Sequence, residues 1–67
     1  MSNFPNLKIL TDARGIEIYA QAISQGVSQL AQIQDRTTDE YKKLKEYTLL
    51  NIQEAKDIVN KLEADIG

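Results

Sequence analysis

The sequence predicts an all-α fold: an antiparallel two-helix hairpin with an extended N-terminal arm, assembling into a helical bundle by homo-oligomerisation. Three observations lead there. Two long segments carry apolar residues at alternating spacings of three and four, the signature of one helix face. Between them lies Thr37-Thr38-Asp39-Glu40, which has the spacing of a capping box. The chain is also only 67 residues long, with no cysteine and no histidine. A chain this short buries little of its surface, and here neither a disulfide nor a zinc site can compensate. Helix packing is the remaining source of stability, most economically against another copy.

Residues 1–10 read as the arm and 11–67 as the hairpin, with helix 1 at about 12–34, a turn at 35–37 and helix 2 at about 38–65. Pro5 biases the residues before it towards extended backbone. Phe4, Leu7 and Ile9 could then cover one end of a bundle. Thr11 is the expected N-cap of helix 1, and Gly15 weakens its first turn. Beyond it, Ala13, Ile16, Ala20, Ile23, Val27, Leu30 and Gln34 form a heptad-like, coiled-coil-type stripe, read as the face turned to helix 2. From Ile18 to Gln34 there is no charge at all. A second ridge, Gly15, Tyr19, Ala22, Gly26, Gln29 and Ile33, carries small residues that admit a close neighbour, and it is expected to be a seam between subunits.

At the corner, the Thr37 hydroxyl is expected to accept from the Glu40 N–H, with Asp39 and Glu40 complementing the helix dipole. The connection is short, so the helices should be antiparallel neighbours. In helix 2 the inward stripe reads Tyr41, Leu44, Thr48, Ile52, Ala55, Val59, Leu62 and Ile66, with Ile58 beside it. Folding the hairpin pairs residues whose numbers add to about 75, such as Ile23 with Ile52 and Ala20 with Ala55. Asp39–Lys43 and Asp57–Lys61 have the spacing of helix ion pairs. Lysines and glutamates fill most of the outer face. Leu49 and Leu50 stand out there, off the inward stripe on opposite sides.

The same residues exclude much chemistry. Without His or Cys, acid–base work would fall to Asp, Glu, Lys or Tyr, and Glu54-x-x-Asp57 lies among lysines on a polar face. No catalytic residue, metal ligand or cofactor site is assigned, and the scattered glycines form no phosphate loop. The cluster Tyr41-Lys42-Lys43-Leu44-Lys45-Glu46-Tyr47 is diluted by acids, and the net charge is −2, so nucleic acid is the weakest candidate partner. No apolar run is long enough for a bilayer, and the first residues lack a basic stretch leading into an apolar one. A cytoplasmic protein is expected.

The leading functional expectation is a non-enzymatic protein-interaction module (inhibitor, adaptor or assembly factor) acting through Tyr19, Ala22, Gly26, Ile33, Leu49 and Leu50, with itself and another protein as partners. A small ligand held between subunits, contacted by Arg14, Tyr19, Gln25, Gln29 or Arg36, is the second reading. A nucleic-acid accessory role is the third. The hairpin pattern is generic to small bacterial and phage adaptors and regulators and carries no family-specific motif.

Overall fold

The computed structural model describes residues 6–67, which form two helices, α1 (Leu7–Gln32) and α2 (Asp39–Ile66), joined by a short corner. They pack as one hairpin, a rod of 57 × 16 × 13 Å. The architecture is all-helical, as the sequence predicts.

Helix α1 begins earlier than expected. Asn6, not Thr11, is its N-cap, and the Asn6 side chain accepts from the N–H groups of Lys8 and Ile9 at 3.0 and 3.3 Å. Asparagine is a better cap than threonine. The restriction that a proline imposes falls on the residue before it, so Pro5 leaves Asn6 and its successors free to turn. Leu7, Ile9 and Leu10 are therefore helical rather than part of an arm. The rest of the expected arm, Phe4 included, lies outside the described residues.

The cap of α2 also shifts by one residue. The Tyr41 N–H donates to Thr38 Oγ1 at 3.2 Å, which makes Thr38 the N-cap. Its hydroxyl in turn donates to the Asp35 carbonyl at 3.2 Å. Thr37 turns the other way, and its hydroxyl and its N–H both donate to Asp35 Oδ1, at 2.6 and 2.9 Å. An Asx-turn thus competes for Thr37, and the expected box with Glu40 does not form. The two bonds from Thr37, hydroxyl first and backbone second, hold the Asp35 carboxyl below its ordinary range. The Arg36 guanidinium lies 6.0 Å from the centre of the Tyr41 ring and closes the corner from outside.

Register agrees closely with expectation. A Cβ placed on Gly15 meets Ile58, and one on Gly26 meets Thr48, so partner numbers add to 73 and 74. The rotation of each helix about its own axis differs, and this decides which residues remain available to partners.

Candidate interaction surface

The seam between α1 and α2 follows a strict three–four repeat. On α1 the residues turned to α2 are Asp12, Ile16, Tyr19, Ile23, Gly26, Leu30 and Ile33. On α2 they are Tyr41, Leu44, Thr48, Asn51, Ala55, Ile58, Leu62 and Asp65. The α1 seam takes alternate residues from both ridges seen in the sequence. Two ridges on one helix are about as good as each other by periodicity, and glycine decided between them. Gly26 is buried against Thr48, where only a residue without a side chain allows so close an approach.

This corrects the expected subunit seam. Tyr19, Ala22 and Ile33 are half-buried and Gly26 is buried, all on the side of α1 turned to its own α2. Conversely, Ala13, Ala20 and Val27, expected inside, are exposed. On α2, Ile52 is only half-buried, and Val59 and Ile66 are 39% and 65% exposed. Leu49 and Leu50 are both exposed. At 3.6 residues per turn they lie about 130° to either side of the α2 seam line.

The consequence is an inverted distribution of polarity. Among the described residues no apolar side chain is fully buried; the buried residues are Asp12, Gly26, Thr48 and Asn51. Thr48 Oγ1 satisfies itself by donating to the Leu44 carbonyl at 2.8 Å. Asn51 Nδ2 has no partner among the described residues. At the open end, Asp12 is 3% exposed, with Lys61 Nζ 3.9 Å from its Oδ1. Lys61 thus reaches across the seam instead of pairing with Asp57, which accepts from Gln53 Nε2 at 3.1 Å. Proton sharing with the Asp65 carboxyl, burial, and the negative charge of Asp65 raise the Asp12 pKa, while Lys61 and Lys8 partly oppose them. Asp12 Oδ2 and Asp65 Oδ2 are both buried with no hydrogen-bond partner among the described residues.

The sequence reading missed Asp12, Asn51 and Asp65 as seam residues. The signal that could have found them is the unbroken three–four spacing that runs through all three.

The displaced apolar residues gather on one side of the hairpin. There α1 and α2 leave an open groove of about 360 Å³, lined by Ile23, Ile52, Ala55, Lys56, Val59 and Asn60. Ala13, Ala20 and Val27 flank it on α1 and Ile66 extends it on α2. The other side is different. There α2 presents Tyr47 and Leu50, 57% and 59% exposed, followed by Glu54, Asp57 and Lys61. The five polar residues expected to contact a ligand do not converge on the groove: none of Arg14, Tyr19, Gln25, Gln29 and Arg36 lines it. No helix among the described residues is long and apolar enough to cross a membrane. Comparison with protein-family models, with characterised proteins and with solved structures finds no match to this chain.

Proposed function

We propose that the chain is a non-enzymatic protein-interaction module, a homo-oligomeric helical scaffold that binds another protein and acts as an inhibitor, adaptor or assembly factor. One observation carries this reading. Large apolar side chains are exposed on the surface, while the fully buried positions between the helices are Asp12, Gly26, Thr48 and Asn51, among apolar residues that are only half-buried. Contiguous exposed apolar surface on a soluble chain marks contact with other macromolecules. Tyr47 and Leu50, one turn apart beside charged residues, have the make-up of an aromatic anchor with a polar rim.

Affinity capture followed by mass spectrometry tests the proposal, comparing the parent chain with the double variant Tyr47→Ser/Leu50→Ser. A protein recovered with the parent and lost with the variant supports it. Equal recovery from both, or no specific recovery from the parent, refutes it. The groove's size favours one second reading, since about 360 Å³ falls in the lower range of ligand pockets. A thermal shift with a metabolite panel would support that reading instead.

A further inference from the structure

We infer that the groove between α1 and α2 is covered by a second copy of the chain, the two hairpins pairing groove to groove about a two-fold axis to form a four-helix bundle. This rests on the oligomeric part of the proposed function and assigns the face it uses.

The first argument is area. A compact monomer of 7.6 kDa exposes roughly 4,300 Å², whereas this chain exposes 5581 Å². The excess, on the order of 1,000 Å², is the amount each partner gives up in a stable protein interface. Shape points the same way. At 57 × 16 × 13 Å the hairpin is a single layer of helices, and a stable domain is built from at least two packed layers.

Sequence position then selects the face. A two-stranded coiled coil needs apolar residues only along its own seam, two in seven; helices of a larger bundle add a third. Here apolar residues of both helices fill the third position on one side only. It reads Ala13, Ala20, Val27 on α1 and, after Lys45 near the corner, Ile52, Val59, Ile66 on α2, six uncharged residues. In the antiparallel hairpin these two rows fall on the same side, and the groove lies between them. The corresponding positions on the far side are Gly15, Ala22 and Gln29 on α1 and Tyr47, Glu54 and Lys61 on α2, and a neighbouring helix would have to desolvate the two charges of the α2 row.

The location of the groove favours a second copy over an unlike partner. It starts near mid-length, at Ile23 and Ile52, and runs towards the open end as far as Val59 and Asn60, within helices of 26 and 28 residues. A two-fold axis through the groove lets two rods overlap along most of their length, and a symmetric contact must place a surface against itself. Ala20 and Ala55 are small enough for close approach there. Apolar side chains from the other hairpin then bring the groove to the packing density of a protein interior.

Sedimentation equilibrium of the parent and of Ala20→Glu/Val59→Glu tests the inference. Both positions are exposed in the single hairpin, so the charges are tolerated unless a partner covers them. The parent should run at twice 7.6 kDa, and the variant should dissociate with a Kd weakened by about a hundredfold or more. Tyr47→Ser/Leu50→Ser should remain dimeric. A parent that is monomeric at high micromolar concentration overturns the inference, as does a charged variant that dimerises like the parent. Because the charged variant could lose its fold, a second measurement uses chains with one introduced cysteine. Ala20→Cys should cross-link to a dimer with a short bis-maleimide, and Gln25→Cys, on the opposite side of α1, should not. Equal cross-linking at both sites, or at Gln25→Cys alone, overturns the symmetric groove contact. A dimer that captures no partner would refute the partner-binding part of the proposed function and leave this inference standing; a monomer that captures one would overturn this inference together with the oligomeric part of the proposed function and leave partner binding intact.

Discussion

Replacing Gly26 by alanine sets two known effects against each other. Alanine in a helix interior is favoured over glycine by roughly 1 kcal/mol. In this hairpin, however, the new Cβ would overlap Thr48 Oγ1 and lie 3.3 Å from both Thr48 Cβ and Cγ2. Thr48 cannot simply swing aside, because its hydroxyl donates to the Leu44 carbonyl at 2.8 Å and the residue is buried. Overpacking of this kind costs about 1–3 kcal/mol. The net expectation is destabilisation of about 1 kcal/mol, opposite in sign to propensity. Urea denaturation followed by circular dichroism, at one fixed protein concentration, reads this as a lowered midpoint. A double-mutant cycle locates the cause. With Thr48→Ala in place the obstructing atoms are gone, and Gly26→Ala should become neutral or stabilising. Gly15 provides the contrast. A Cβ there meets the tip of Ile58, its Cδ1, at 3.0 Å, and that end can move, so Gly15→Ala should be neutral or stabilise by up to about 1 kcal/mol. Stabilisation by Gly26→Ala that is independent of residue 48 would refute the placement of Gly26 against Thr48.

Two further outcomes can be checked with the same equipment. Thr38→Ala should destabilise by about 1 kcal/mol through loss of the α2 cap, while Thr37→Ala, at an exposed position, should stay within about 0.5 kcal/mol; the reverse order in denaturation midpoints would restore Thr37 as the cap. Asp12 carries a folded-state pKa above its ordinary 3.8, so the folded chain binds its proton more tightly than the unfolded one. Its contribution to stability is fully present below that ordinary value and is lost as pH rises through the raised folded value. Asp12→Asn should therefore raise the melting temperature at neutral pH and flatten its decline above pH 3.8; an unchanged pH profile in the variant would show that Asp12 does not titrate this way.

The hairpin itself was legible in the sequence because period and corner chemistry are local. Alternating three–four spacing identifies a helix whatever it packs against, and Thr-Thr-Asp-Glu marks a helix start to within one residue. The rotation of each helix was not legible. It depends on a contact between residues far apart in sequence, Gly26 with Thr48, and on the acceptance of Asp12, Asn51 and Asp65 into the seam. A reading that assigns apolar residues to the interior takes Ile52 over Asn51 and Val59 over Ile58. That choice shifted α2 to one side and carried the expected subunit seam to the wrong ridge of α1. The start of α1 was missed for a local reason, since Asn6 caps behind Pro5 and the weight given to the proline hid it.

A seam whose fully buried positions are Asp12, Gly26, Thr48 and Asn51 also has a calorimetric consequence. The heat-capacity change of unfolding and the steepness of denaturant transitions both scale with the surface released on unfolding, the first chiefly with its apolar part. A hairpin in which no apolar side chain among the described residues is fully buried releases only the covered part of half-buried residues such as Ile16, Ile23, Leu44 and Ile58 when its two helices part. Alone, it should melt over a broad range of temperature, with a heat-capacity increment below the ~12–15 cal/mol/K per residue of ordinary domains. Any sharpness in the transition of the protein as it exists therefore measures surface that the hairpin does not cover by itself.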